Sequence, residues 1–133
     1  MRKRGRRVKI CCGTDIIEID RIRKSIENPK IGKAFLEKVY TKKEIEYCES
    51  KKVQKYQHYA ARFAAKEATF KAISEQIEDK YSIPWQNIEI MNNAQGRPKL
   101  NLIGVDLSNI ESVDLSISHC KQYAVATVTL LRK

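Results

Sequence analysis

The chain has 133 residues, of which 42% are hydrophobic, and its 26 Lys and Arg against 16 Asp and Glu give a formal net charge of +10. This length suits one domain, and the hydrophobic fraction argues against intrinsic disorder, which combines low hydrophobicity with high net charge. Apolar runs are too short for a membrane span, and no apolar region follows the charged N-terminus as in a signal peptide.

The positive charge is concentrated in the first half of the chain. Residues 2–9 hold six bases and no acid, and residues 18–72 hold 14 bases against 8 acids. Residues 73–133 hold 6 bases and 7 acids, so they are nearly neutral. A basic face of this kind attracts an acidic partner, which leaves nucleic acid, an anionic membrane surface, an acidic protein and a polyphosphate open.

The cysteine pattern indicates a reduced protein. None of Cys11, Cys12, Cys48 and Cys120 forms a C-x-x-C pair, and adjacent cysteines rarely meet disulfide geometry. A disulfide scaffold or a zinc site is therefore not predicted. We expect buried thiols in a cytoplasmic protein.

In chain order, residues 1–7 are predicted to form a flexible basic tail, followed by a single domain over residues 8–133. Val8–Thr14 is mostly apolar and predicts a buried strand that ends at Gly13-Thr14-Asp15. Apolar residues then recur every three or four positions over Ile16–Ile26, which predicts a helix. A short helix is expected near Ile31–Leu36, and the capping box Thr41-Lys42-Lys43-Glu44 predicts another through about Ser50.

The second half begins with the longest predicted helix, Tyr56–Ser74, whose stripe of alanines would let another element approach closely. A loop is expected over residues 75–86. Alternating and β-branched patterns then predict four strands: Asn87–Met91, Pro98–Leu102, Val113–Ser118 and Tyr123–Leu131. A short helix is expected between the second and third strands, over Val105–Ile110. The sum is an α+β fold with an antiparallel-rich sheet packed against a long central helix.

Asp15 is the first candidate for chemistry. An acidic residue where a strand meets a helix is often only an N-cap. A carboxylate can also bind a hard metal ion such as Mg²⁺. The spacing alone favours the cap.

The second candidate is a face of the long helix. Phe63, Glu67 and Lys71 lie four residues apart, so they share that face. A Glu–Lys surface pair explains the spacing without any function. The alternative has Glu67 holding a metal ion while Lys71 meets a phosphate, and without further context the surface pair is favoured.

Ser118 and His119, at the end of a predicted strand, are the third candidate. A histidine at a turn is usually solvated or capping, and neither His58 nor His119 has a partner at metal-ligand spacing. The sequence has no nucleophile elbow, no P-loop and no dinucleotide-binding glycine motif.

The order and spacing of the motifs carry more information than any one of them. Four motifs occur in chain order: Gly13-Thr14-Asp15-Ile16 with Ile19 and Arg21-Ile22; Arg62-Phe63-Ala64-Ala65-Lys66-Glu67-Ala68 with Lys71-Ala72; Gly96-Arg97-Pro98; and Ser116-Ile117-Ser118-His119 with Ala124 and Ala126. Over about residues 10–131 this set resembles the holo-[acyl-carrier-protein] synthases, the short class of 4′-phosphopantetheinyl transferases. The longer, broad-specificity class is pseudo-duplicated, so one copy of each motif in 133 residues favours the short class.

The resemblance implies a transferase fold and a reaction. The 4′-phosphopantetheine arm of coenzyme A would pass to a serine of apo acyl carrier protein in support of fatty acid biosynthesis, releasing adenosine 3′,5′-bisphosphate. By the same resemblance Asp15 and Glu67 bind Mg²⁺, and with Lys71 they form the catalytic set. Either Glu67 or a water on the metal could accept the serine proton.

The resemblance also implies the remaining residue roles. The coenzyme A pocket would use Lys71 and a set of residues from three motifs: Arg62, Phe63, Gly96, Arg97, Pro98, Ser118 and His119. The carrier protein would meet Arg21, assisted by Arg23 and Lys24. The short class implies a homotrimer with sites between subunits.

Two departures from the family pattern are visible. The family's glycine-rich stretch after the Lys-Ala pair is replaced by Ile73–Lys80, which has no glycine, and Cys11-Cys12 stands where small or apolar residues usually precede the Gly-x-Asp motif. The alternative from another class is a non-catalytic, basic nucleic acid-binding module. The aromatic residues show no RNP-type pattern and no helix-turn-helix is evident, so this alternative is disfavoured.

Overall fold

The computed structural model describes residues 8–75, 82–106 and 108–133. The first half contains one strand and four α-helices: β1 (Lys9–Glu18), α1 (Ile19–Glu27), α2 (Gly32–Val39), α3 (Lys42–Glu49) and α4 (Lys55–Ile73). The second half adds four strands: β2 (Ile88–Asn92), β3 (Pro98–Leu102), β4 (Ile110–His119) and β5 (Tyr123–Arg132). Short 3₁₀ turns cover Lys52–Gln54 and Trp85–Asn87.

The strands form two antiparallel sheets. The larger has the order β1-β5-β4, and β2 pairs with β3 in a separate hairpin. Helix α4 packs across the larger sheet against β1 and β5. It is buried nearly all round, as expected for a helix enclosed by other elements. The predicted α+β class with a sheet on a long central helix is confirmed.

The larger sheet has one face on α4 and one face uncovered among the described residues. Side chains alternate along β1, so Cys11, Gly13 and Ile17 are buried while Ile10 and Ile16 are 67% and 64% exposed. The buried face, α4 and the inner side of β2 together form the core.

Gly13 explains how closely β1 approaches α4. A Cβ atom at this position would lie 2.0 Å from the Ala68 carbonyl oxygen and 2.7 Å from the Ala72 amide nitrogen. Both are backbone atoms, which cannot move aside as the end of a flexible side chain could. The predicted close approach along the alanine stripe is therefore confirmed, and glycine on the facing strand is what makes it possible.

The predicted boundary between the first strand and first helix is wrong. Strand β1 does not stop at Gly13–Asp15 but stays paired with β5 as far as Glu18 opposite Tyr123, and α1 begins at Ile19. The ladder of backbone hydrogen bonds outweighs the helical spacing of the isoleucines. Asp15 is therefore not an N-cap, because it lies inside the strand opposite Ala126.

The other predicted elements differ less. The capping box at Thr41 and Glu44 is confirmed, with both reciprocal hydrogen bonds present. The helix predicted over Val105–Ile110 is wrong, because the described positions around it are irregular and Ile110 opens β4. The predicted tail (residues 1–7) and most of the predicted loop (residues 76–81) lie outside the described residues.

A buried ion pair joins α3, α4 and β2. Lys66 Nζ lies 2.9 Å from Glu44 Oε1, and both side chains are 0% exposed. Lys66 also donates to the carbonyl oxygens of Trp85 and Ile88, while Glu44 Oε2 accepts from the Ile90 amide at 2.9 Å. Desolvation lowers the pKa of Lys66, and the attraction of Glu44 opposes that shift. The pair thus fixes the hairpin to the helices.

Candidate active site

A cleft of about 570 Å³ opens where the end of β1 meets α1 and α4. Its lining includes Glu18 of β1 and the two carboxylates that the motifs singled out, Asp15 from β1 and Glu67 from α4. They are 52 positions apart in sequence and are brought together because Gly13 lets β1 lie directly on α4. The two predicted metal ligands therefore share one cleft.

Lys71 is anchored beside Asp15. Its Nζ donates to the Thr14 carbonyl oxygen at 2.9 Å and to Asp15 Oδ1 at 3.2 Å. The Asp15 side chain is 17% exposed, whereas that of Lys71 is 45% exposed. The ammonium group thus reaches strand β1 from the helix, one turn beyond Glu67.

The donor set suits a hard cation. Carboxylate oxygens are the ligands that Mg²⁺ prefers, and it commonly uses one or two of them together with water and substrate phosphates. Among the described residues no group of three or more His, Cys, Asp or Glu is placed to hold a metal ion. From the cleft lining, Asp15 and Glu67 could supply two such oxygen ligands.

An aromatic wall forms one side of the cleft. Phe63 lines it, stacks on Trp85 at a centroid distance of 5.1 Å and packs near Phe35 at 6.2 Å. Trp85 also meets Phe70 edge-on at 5.2 Å. Sequence reasoning missed Trp85 and Phe35, because neither lies in a recognisable motif, although Phe63 was predicted as a pocket residue.

The three basic residues of α1 differ in their surroundings. Arg21 lines the cleft. Arg23 pairs with Asp20 and Glu27, and Lys24 lies 3.1 Å from Asp20, so both are held within their own helix. Arg21 is the member of this trio placed to meet a molecule that enters the cleft.

Arg62 is a buried residue of α4. It is 4% exposed, donates to Asn92 Oδ1 at 2.7 Å and lies over the Tyr47 ring at 4.1 Å from its centroid. Its Nε has no hydrogen-bond partner among the described residues. These contacts place Arg62 between α3, α4 and the β2–β3 hairpin.

The remaining predicted pocket residues lie outside the lining of this cleft. Gly96 has φ +81° in the β2–β3 turn, where Arg97 donates its amide to Asn93, and Pro98 opens β3. Ser118 and His119 end β4, opposite Val125 and Ala124 of β5. Within one chain the structure gathers Asp15, Glu67, Lys71, Phe63 and Arg21, and it sets the other motifs apart.

The comparisons with known proteins agree with this architecture. The model of the 4′-phosphopantetheinyl transferase superfamily matches residues 11–128. The chain belongs to this superfamily. No helix among the described residues of this transferase is long and apolar enough to cross a membrane.

Individual relatives of this superfamily member are similar along most of their length. A holo-[acyl-carrier-protein] synthase from Ruminiclostridium cellulolyticum is 47% identical over 124 residues, covering 90% of each chain. The ACPS–CoA complex from Chronobacterium ammoniagenes has a TM-score of 0.78 at 27% identity and covers 94% of this chain and 98% of its own.

The Helicobacter pylori holo-[acyl-carrier-protein] synthase, solved in complex with coenzyme A, has a TM-score of 0.76 at 30% identity, with coverage of 90% and 98%. The resemblance inferred from the motifs is thereby confirmed. The nucleic acid-binding alternative finds no support among these relatives.

Proposed function

We propose that this chain transfers the 4′-phosphopantetheine arm of coenzyme A to a serine of apo acyl carrier protein, in support of fatty acid biosynthesis. The observation that carries the proposal is the 47% identity to a holo-[acyl-carrier-protein] synthase over nine-tenths of the chain. The cleft supports it, because the Asp15 and Glu67 carboxylates in its lining, with the Lys71 ammonium group 3.2 Å from Asp15, suit a reaction between a polyphosphate and a hydroxyl.

Asp15 and Glu67 would hold Mg²⁺, the cation that fits their oxygen donors. When bound, the ion would neutralise charge on the diphosphate and on the departing adenosine 3′,5′-bisphosphate. Lys71 keeps Asp15 oriented through the 3.2 Å contact and presents a half-exposed ammonium group to a phosphate. Phosphoryl transfer depends mainly on such positioning and charge neutralisation.

The coenzyme A pocket extends over the other predicted residues in this proposal. Phe63 gives an apolar wall for the arm, and the open β2–β3 turn gives space, because a Cβ at Gly96 would meet nothing within 4 Å. The wider set comprises Arg62, Gly96, Arg97, Pro98, Ser118 and His119. Buried Arg62 would act there as a fixed positive charge.

The function is tested by incubating the full chain with coenzyme A, Mg²⁺ and an apo carrier protein and then measuring the intact mass of the carrier. We expect a gain of one phosphopantetheine arm, and loss of that gain when a chelator removes the metal ion. Failure to modify any of several apo carriers would contradict the proposal, and full transfer in excess chelator would contradict the metal site alone.

Arg21→Asp is expected to weaken carrier-protein binding by about tenfold or more while leaving the affinity for coenzyme A nearly unchanged. The substitution reverses the charge of the cation of α1 that faces the cleft. Arg23→Asp is the matched control, with a smaller expected effect because Arg23 is engaged by Asp20 and Glu27. Calorimetric titration with each substrate gives both affinities. An equal loss of both affinities in Arg21→Asp would contradict a specific role of Arg21 in binding the carrier protein.

We further propose that the chain works as a homotrimer in the cytoplasm. Four free cysteines suit a reducing compartment. The outer face of the sheet carries Ile10, Ile16 and Tyr123 at 67%, 64% and 43% exposure. Such a face is suited to burial against other copies. A second copy would also bring its own hairpin and β4 residues towards the cleft, which lacks them within one chain.

Ile10→Glu tests the trimer without touching the cleft lining. Burying an unpaired carboxylate in an interface is costly, so we expect the sedimentation mass to fall from three chains to one. Val53→Glu is the control, because Val53 is 94% exposed in the 3₁₀ turn before α4. A wild-type chain that sediments as a monomer while fully active would contradict the proposal.

A further inference from the structure

Three rings in a row connect α3, α4 and the end of β4. Tyr47 meets His58 edge-on at a centroid distance of 5.5 Å and an interplanar angle of 79°. His58 in turn meets His119 at 6.0 Å and 63°. Both contacts have the edge-to-face geometry that aromatic rings favour. The exposed His119 at the strand end therefore rests against a half-buried ring of the central helix.

Two permanently charged cations, Arg62 and Lys51, lie near His58. Burial is the main cause that lowers the pKa of His58, followed by Arg62 on its own helix, Lys51 just after α3, and His119 on β4. Arg62 and Lys51 also flank the neighbouring Tyr47 ring, at 4.1 and 4.8 Å from its centroid. His58 is consequently neutral near pH 7, and a proton on it would place a cation against other cations.

We propose that His58 is a positioning residue, which holds the ring of His119 in the orientation that binds coenzyme A. The inference rests on the proposed function, because only there does His119 belong to the coenzyme A pocket. Without a neighbour, a side chain at an exposed strand end samples several rotamers, and ordering it on binding costs conformational entropy. A ring fixed in advance removes part of that cost.

The effect belongs to binding and not to the chemical step. His58 is separated from the carboxylates, since it does not line the cleft that holds Asp15 and Glu67. Loss of the His58 ring should therefore raise KM for coenzyme A and leave kcat unchanged. An edge-to-face contact of ordinary strength corresponds to a rise of roughly three- to tenfold.

Steady-state kinetics at pH 7.5 compare the wild type with His58→Ala, His58→Phe and the neighbouring control Gln57→Ala. We expect His58→Ala to raise KM by about three- to tenfold, with His58→Phe and Gln57→Ala near the wild-type value. Phenylalanine keeps the ring contact but has no polar atom. An unchanged KM in His58→Ala overturns the inference. An equal rise of KM in His58→Ala and His58→Phe also overturns it, because it would indicate that His58 contacts coenzyme A directly.

The pH dependence gives a readout that a purely structural role would not move. Burial holds the pKa of His58 below 6.5, the ordinary value for histidine, so the wild type gains this proton only at a pH below that value, and His58→Phe never gains it. We expect the ratio of the wild-type KM to the His58→Phe KM to rise at acid pH. A ratio that stays constant over the pH range in which NMR shows the His58 ring gaining its proton contradicts the proposal.

The ring contact is also measurable without any activity. The chain has two histidines, so the ring protons of His119 are readily assigned by NMR. We expect His58→Ala, but not His58→Phe, to abolish their ring-current shift. If the wild type shows this shift but transfers nothing, the proposed function fails. If it transfers and the shift is absent, this inference fails.

Discussion

Glu67→Gln is expected to reduce transfer from coenzyme A to the carrier protein by about 10³-fold or more, with the fold intact. The substitution keeps the size of the side chain but removes the charge that would help to hold a divalent cation against the diphosphate. Asp15→Asn should have a similar effect, and it also loses the charge partner of Lys71, which lies 3.2 Å from Asp15. The measurement is the initial rate of mass gain by the carrier at saturating coenzyme A.

Glu46→Gln is the matched control for this result, because it removes an exposed carboxylate from α3. Its rate should stay within about twofold of the wild type, as is usual for surface substitutions. A Glu67→Gln variant with the wild-type rate would contradict the proposal that this cleft is the active site. Loss of the cooperative unfolding transition in Glu67→Gln would show instead that the carboxylate serves the fold.

Lys66→Met should lower the free energy of unfolding by about 3–5 kcal/mol, the usual cost of leaving one buried charge without its partner. Glu44, 0% exposed, would lose the ammonium group at 2.9 Å, and two carbonyl oxygens would lose a donor. Urea unfolding followed by circular dichroism measures the change. The exposed Lys43→Met on α3 is the control, expected within about 0.5 kcal/mol of the wild type.

The double variant Lys66→Met/Glu44→Leu separates the ion pair from simple packing. Replacing both charges by apolar groups should recover part of the loss, because no unpaired buried charge remains. The free energies of unfolding lost in Lys66→Met and in Glu44→Leu can be added and compared with the loss in the double variant. If the two values are equal, the charges are not coupled, and the pair contributes through its hydrogen-bonded geometry.

Much of the fold follows from the sequence because local rules and tertiary structure agree there. The capping box sets the start of α3, and the β-branched pattern of Tyr123–Leu131 places β5 to within a residue. They disagree at the end of β1, where the isoleucine spacing favours a helix but ten pairs to β5 hold the chain extended. Long-range pairing of this kind cannot be detected from a local window.

The candidate site divides in the same way. The spacing of Phe63, Glu67 and Lys71 is local to one helix, so the sequence could place them on one face. The meeting of Lys71 with Asp15 depends on the register of β1 against α4, and the Lys66–Glu44 pair depends on how α3 packs. The sequence carried no signal for the aromatic wall, since Trp85 reaches Phe63 only through the tertiary fold.

The most direct test of the account is the stoichiometry of products from the wild-type chain, coenzyme A, Mg²⁺ and apo carrier protein. The serine oxygen would bond to the phosphorus that bears the pantetheine arm, as the bond from that phosphorus to adenosine 3′,5′-bisphosphate breaks. Quantifying both products by mass spectrometry should therefore give holo carrier protein and adenosine 3′,5′-bisphosphate in equal molar amounts. Release of the bisphosphate without modified carrier would indicate hydrolysis of coenzyme A and would contradict the account.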